Sequence, residues 1–153
     1  MTESITENRT ATLRRLSVAD YDAIMDLWGR AGLHIRPQGR DSREAFAQQA
    51  ALGVQTIIGL EQDGQLIGVV IATHDGRKGW INRLAVDPEH RRQGHAMRLI
   101  AEAERVLHEQ GMRIIAALVE SWNEASLNLL QKAGYSTYEG GVIYLSKRDS
   151  WDV

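Results

Sequence analysis

The residues whose order could do chemistry run from Asn82 to Met97: Asn-Arg-Leu-Ala-Val-Asp-Pro-Glu-His-Arg-Arg-Gln-Gly-His-Ala-Met. An apolar, strand-like run ends at Asp87-Pro88, and a short basic turn with one glycine follows. Ala96, Leu99, Ile100, Ala103, Val106 and Leu107 then recur at helical spacing. Strand, basic turn and helix together make an anion site. The first N–H groups of a helix lack internal acceptors and point outward, so they can hold phosphate. Gly94 and Ala96 keep that backbone bare enough for close approach, and Arg91 and Arg92 add positive charge. The turn has neither the GK[ST] of a P-loop nor the three glycines of a dinucleotide fingerprint.

A second group of polar residues suits the opposite end of such a site: His34, Arg36, Arg40, Asp75, Asn82 and Arg83. Strand alternation places Asn82 and Leu84 on one face, and Arg83 and Ala85 on the other. A buried Asn82 needs hydrogen-bond partners, so it would orient an acceptor or a water, or serve as a satisfied sheet asparagine. The Arg36, Arg40 and Arg43 cluster would favour an acceptor with a carboxylate, or be solvated loop arginines. The five histidines lack metal-ligand spacing, so no metal is expected. Met25, Leu27 and Trp28 read as core.

The elements that must position these residues can be traced in chain order. Residues 1–10 read as a flexible leader and 11–153 as a single domain. Thr12 to Leu16 suits a short strand. Ser17 with Asp20 resembles a capping box and opens a helix carrying Ile24, Leu27 and Trp28. Gly29, Gly32, Pro37 and Gly39 then enforce a loop, and Asp41 or Ser42 caps a second helix to about Leu52. Val54 to Leu60 and Leu66 to Thr73 form strands around Asp63-Gly64, a strong hairpin signal. Trp80 to Val86 is another strand, followed by the helix from Gly94 to Gln110, with Gly111 as its stop. Met112 to Val119 reads as a strand. Asn123 caps a helix through Lys132, and Tyr135 to Tyr138 with Val142 to Ser146 reads as a closing hairpin. The order β-α-α-β-β-β-α-β-α-β-β implies an α/β (α+β) sandwich: a mixed, mostly antiparallel sheet of about seven strands flanked by four helices.

Composition narrows the function classes. The 153 residues are 43% hydrophobic and 25% charged, ordinary for one globular domain. A formal charge of −2 argues against a dedicated nucleic-acid binder. No run approaches the ~18 apolar residues of a membrane helix, and Met1 to Thr10 has no signal-peptide centre. The absence of cysteine excludes disulfides, thiolate zinc sites and a cysteine nucleophile, and fits a cytoplasmic location.

Two segments resemble the GNAT superfamily of acetyl-CoA-dependent N-acetyltransferases. That family's pyrophosphate loop reads Arg/Gln-x-x-Gly-x-Gly/Ala after a strand ending in Val-x-Pro; here Val86-Asp87-Pro88 precedes Arg91-Arg92-Gln93-Gly94-His95-Ala96. A later segment, Asn then helix then Lys-x-Gly-Phe/Tyr, is matched by Asn123 through Lys132-Ala133-Gly134-Tyr135. The resemblance spans roughly residues 12–148. It implies that Arg91, Arg92, Gln93, Gly94, His95, Ala96 and Met97 hold the pyrophosphate of acetyl-CoA, the cosubstrate. It also implies that the backbone of Leu84, Ala85 and Val86 pairs with the pantetheine arm, and that Asn123 contacts that arm. The implied acceptor is a primary amine, on a small molecule or a peptide N-terminus, attacked directly with no covalent enzyme intermediate. Exposed terminal strands in such folds often pair into homodimers.

The chain departs from the family where protons are handled. The tyrosine that many members place before Lys-x-Gly-Phe/Tyr is Leu130 here, and the glutamate base that ribosomal-protein acetyltransferases carry on the preceding strand is Leu118. Three readings follow. The thiolate leaves without an acid; Glu120, Tyr135 or Tyr138 substitutes; or the chain is a non-catalytic acyl-CoA-binding or interaction module. A nucleotide-binding protein without CoA is a further alternative, opposed by the missing Walker lysine.

Overall fold

A computed structural model describes residues 10–153. The expected leader therefore lies outside the described residues except for Thr10. Strand β1 spans Thr12–Leu16, and Ser17 with Asp20 forms the expected capping box around one 3-10 turn. Helix α1 follows (Tyr21–Arg30), then α2 (Arg43–Ala51), whose Ser42 hydroxyl accepts the Ala45 N–H at 3.1 Å. Strands β2 (Gln55–Gln62) and β3 (Gln65–His74) are joined by Asp63-Gly64, both at positive φ, which suits a two-residue hairpin. Next come β4 (Gly79–Val86), α3 (His95–Glu109), β5 (Ile115–Ala117) and α4 (Glu124–Lys132).

The sheet order is β1-β2-β3-β4-β5, antiparallel except for the parallel β4–β5 pair. Each face carries its own core. On one, Leu99, Ile100, Ala103, Val106 and Leu107 of α3 pack on Ile58, Leu60, Ile67, Val70 and Ile81. On the other, Tyr21, Ile24, Leu27 and Trp28 of α1 join Phe46 of α2 against Ile57, Val69, Ile71 and Ala85. Gly68 lets α3 approach closely, because a Cβ there would stand 2.9 Å from the Leu99 Cδ1.

Two expectations need correction. The described residues hold five strands rather than about seven, and β5 is three residues long instead of spanning Met112 to Val119. The closing hairpin does not form: Tyr138 and the run Val142 to Leu145 are exposed and belong to no strand. Strand propensity expresses packing against a neighbour, and among the described residues no ladder partner pairs with this run. The alternation along β4 is also broken. Arg83 has φ +53, and the β3–β4 register shifts between Val69 and Ile71. That bulge changes the phase of the strand. Ile81, Leu84 and Val86 therefore face the α3 core, while Ala85 faces the α1 core and Arg83 shares a cavity with Asn82.

Candidate functional site

The first half of the site is main chain. β5 pairs with β4 only as far as Ile81↔Ala117, so from Asn82 onward no strand among the described residues lies on that side of β4. The open edge leads through Asp87 into a 3-10 turn (Pro88–His90) and then into α3. Gly94 caps α3 in the left-handed region at φ +79, with no side-chain cap. The first intrahelical bond is Arg98 N–H to Gly94 O at 3.1 Å, so the N–H groups of His95, Ala96 and Met97 have no acceptor among the described residues. Arg92 also lies at positive φ, which gives the turn the alternating backbone that gathers N–H groups around an anion. Apart from its own chain neighbours, no described residue places an atom within 4 Å of a Cβ built on Gly94. This donor set fits a diphosphate.

Asp87 fixes the joint between β4 and the turn. It is 4% exposed, accepts the Glu89 N–H at 2.9 Å and receives Arg30 Nη2 at 3.0 Å. The Glu89 N–H, and then the Arg30 guanidinium, hold its carboxyl below the usual carboxylate range against the opposing cost of burial. For His95, burial first, then the neighbouring His90 and Arg98, lower its pKa, which favours the neutral imidazole.

The second half is side chain. A cavity of about 390 Å³ opens between α1, α2, β3 and β4. Trp28, Phe46 and Ile71 form its apolar wall, while Thr73, Asn82, Arg83 and Arg40 line it with polar groups. Asn82 donates from Nδ2 to the Thr73 hydroxyl at 2.8 Å, and its Oδ1 accepts no bond among the described residues. Arg83 donates to Asp41 Oδ1 at 2.6 Å and to the His34 carbonyl at 2.9 Å, and its guanidinium lies 4.6 Å above the Trp28 ring. The other oxygen of Asp41 accepts the Arg36 N–H at 2.7 Å. Tyr21 further donates to the Asp41 carbonyl at 2.5 Å, which pins the loop between α1 and α2.

With this geometry, the comparison with known proteins is direct: the profile of the acetyltransferase (GNAT) family matches residues 21–135. The chain belongs to the GNAT acetyltransferase family. Like the other members it is an acetyl-CoA-dependent acyltransferase. It is 30% identical over 129 residues to a protein named acetyltransferase from Pectobacterium atrosepticum, covering 84% of this chain and 89% of that one. Among solved structures it is similar in fold to the PaiA N-acetyltransferase of Thermoplasma acidophilum in complex with coenzyme A. That match has TM-score 0.72 and 19% identity, covering 85% of this chain and 92% of that one. The aminoglycoside N-acetyltransferase AAC(6')-Iy in complex with CoA matches with TM-score 0.75 and 20% identity, covering 94% and 99%.

The remaining candidates of this GNAT chain are dispersed. Asn123 caps α4, its Oδ1 accepting the Ser126 N–H at 3.2 Å. His34 is exposed and takes part through its carbonyl, and Arg36 through its main chain. Asp75 organises the β3–β4 turn, accepting the N–H groups of Arg77 and Lys78, and those bonds lower its pKa. Glu120 and Tyr138 are exposed. Tyr135 packs against the α3 core with its hydroxyl buried and unpartnered; burial, aided by the charge of Glu104, pushes its pKa up to about 12. Leu130 packs on the same core, while Leu118 is exposed. Sequence reading treated Trp28 as core and Asp41 as a helix cap. The cavity adds both, with Phe46, Gln49 and Gln55, and no spacing in the sequence marks any of these as site residues.

Proposed function

We propose that this GNAT enzyme is an N-acetyltransferase that moves acetyl from acetyl-CoA to a primary amine bound in the cavity beside Asn82. The observation that carries the reading is continuity along one strand. The open edge of β4 runs from Asn82, in the cavity wall, to unbonded N–H groups at the start of α3. The N–H groups of His95, Ala96 and Met97 would hold the pyrophosphate, with charge from Arg91 and Arg92. The backbone of Leu84, Ala85 and Val86 would pair with the pantetheine arm like an added strand, and an N–H there would polarise the thioester carbonyl.

The amine attacks the thioester carbon, the oxyanion collapses, and CoA leaves as thiolate. A lysine-type amine with pKa ~10.4 is only about one part in a thousand neutral near pH 7, whereas an α-amine near ~8 is far less handicapped. A thiol of pKa ~8.5 departs near neutral pH without a dedicated acid, which accommodates Leu118 and Leu130. Tyr135 keeps its proton at neutral pH, so Tyr135→Phe separates departure with and without this acid. Unchanged kcat in that variant supports unassisted departure.

The test of the whole reading is free-thiol release from acetyl-CoA across a panel of amines. Release that depends on the amine supports it. Tight CoA binding with no release for any amine would instead support the acyl-CoA-binding module that Leu118 and Leu130 suggest.

A further inference from the structure

Large hydrophobic side chains exposed among the described residues are concentrated between Ile114 and Val153. The run Val142 to Leu145 is the densest part of that surface, each residue 68–85% exposed. Four consecutive apolar residues put apolar side chains on both faces of an extended chain, which is the pattern of a strand covered on both faces; a strand with one wet face alternates. Residues 142–147 belong to no helix or strand, and no main-chain hydrogen bond joins them to another described residue. The run therefore combines the side chains of a buried strand with two open rows of backbone donors and acceptors.

β5 offers the complementary edge. It is last in the sheet order, so its outer edge has no strand partner among the described residues. Edges that face water are ordinarily guarded by charge, proline or a bulge. Here Ile114 to Val119 reads Ile-Ile-Ala-Ala-Leu-Val, with neither charge nor proline. Ile115 and Ala117 pack on the α3 core, so alternation turns Leu118 to the opposite face, where it is 65% exposed. The tail of the same copy is held elsewhere. Its Asp152 carbonyl lies 2.8 Å from a Cβ built on Gly39, in the loop between α1 and α2, and Arg40 of that loop donates to the Val153 carbonyl at 3.3 Å.

We infer that two copies of this chain associate by exchange, Val142 to Leu145 of each adding a strand to the outer edge of β5 of the other. Main-chain hydrogen bonds hold such an added strand, and its side chains choose the partner. A two-fold axis makes both contacts at once, each copy giving a run and receiving one. The area is sufficient. Leu118, Trp122, Tyr138 and Trp151 are exposed along with the run. Together these side chains offer on the order of 1,000 Å² per copy, since an aromatic alone buries about 150–250 Å². A stable interface takes about 800 Å² per partner.

The test is sedimentation velocity on the full chain, without CoA or amine, from micromolar to sub-millimolar concentration. A dimer is expected. Ile143→Lys spoils the run and Leu118→Lys spoils the receiving edge; both side chains are mostly exposed, so the far-ultraviolet circular dichroism should not change. Each variant alone should raise the dissociation constant about 100-fold or more, as for the centre of an interface. An equimolar mixture of the two variants should recover a dimer, because the intact run of the Leu118→Lys copy meets the intact edge of the Ile143→Lys copy. A monomeric wild type overturns the inference, whether its own run folds onto β5 or a different protein is needed to cover it. So does a dimer that survives either variant, or a mixture that stays monomeric.

Discussion

The two halves of the site are made of different material. The proposed cofactor half is backbone: the open edge of β4, a left-handed glycine and the first N–H groups of α3. The proposed acceptor half is side chain: Trp28 from α1, Arg40 and Asp41 from the following loop, Asn82 and Arg83 from the bulge of β4. A backbone site tolerates almost any side chain except where the chain must turn or a ligand must approach closely. It therefore persists through wide sequence change. A side-chain site changes with each substitution, so one scaffold can serve many amines while binding one cosubstrate.

The strongest way to break that contrast is to give the backbone half a side chain. Gly94→Val places a branched side chain at φ +79, where left-handed backbone costs an L residue about 1–2 kcal/mol, and directs it into the space of the diphosphate. Acetyl-CoA affinity measured by calorimetry should fall about 100-fold or more, near 3 kcal/mol. Since no described residue other than its chain neighbours comes within 4 Å of the new Cβ, the fold should survive. Unchanged affinity in a folded Gly94→Val protein would remove the pyrophosphate assignment.

This division also explains what could be read from the sequence. The cofactor half depends on local order, strand, turn, glycine, helix, and Val86 to Ala96 displays it in consecutive residues. The order of the first nine regular elements is legible for the same reason, because caps at Ser17, Ser42 and Asn123 and turns such as Asp63-Gly64 are short-range devices. The acceptor half is assembled across long separations, as in Arg83 with Asp41 or Arg30 with Asp87, and no local pattern encodes those meetings. The bulge at Arg83 defeats simple alternation, because it inverts the phase of β4 at the residues that line the cavity. Val142 to Leu145 shows the opposite error: its residues have strand propensity, yet no ladder among the described residues holds them in a sheet.

Arg83→Leu should show whether the halves are separable. It leaves Asp41, 7% exposed, without its cation, and removes the guanidinium from the Trp28 ring. Breaking such a partly buried pair should cost about 2 kcal/mol in chemical denaturation, less than a fully buried pair because Arg83 reaches solvent. Acceptor KM should rise while acetyl-CoA affinity holds. Parallel loss of both would mean that the bulge transmits damage along β4 and that the two halves are one unit.

A smaller effect is expected at the joint between them. Asp87→Asn keeps an oxygen for the Glu89 N–H but loses the charge facing Arg30, for about 1.5 kcal/mol. The sign with pH follows from the lowered pKa of Asp87. A carboxyl depressed in the folded state stabilises above its unfolded value of about 3.9, and that stabilisation drains as pH falls through the folded value. The gap in unfolding free energy between wild type and Asp87→Asn should be constant near neutrality and close in acid. A gap independent of pH would show that Asp87 acts through shape alone.

The smallest effect should come from Asn82, where the halves meet. Its Nδ2 is committed to the Thr73 hydroxyl, so the amide is held in place with Oδ1 unengaged by the protein. Asn82→Ala removes one neutral hydrogen bond to the acceptor amine and leaves the Thr73 hydroxyl free to turn elsewhere. A loss near 1 kcal/mol, about fivefold in kcat/KM for the best amine, is expected, with acetyl-CoA affinity unmoved. Because the bond is to a neutral amine, its contribution should be present only where the amine is deprotonated. The ratio of wild type to Asn82→Ala should therefore be independent of pH, while both rates rise together as the acceptor loses its proton. A ratio that changes with pH would assign Asn82, through a water, to proton removal rather than to orientation.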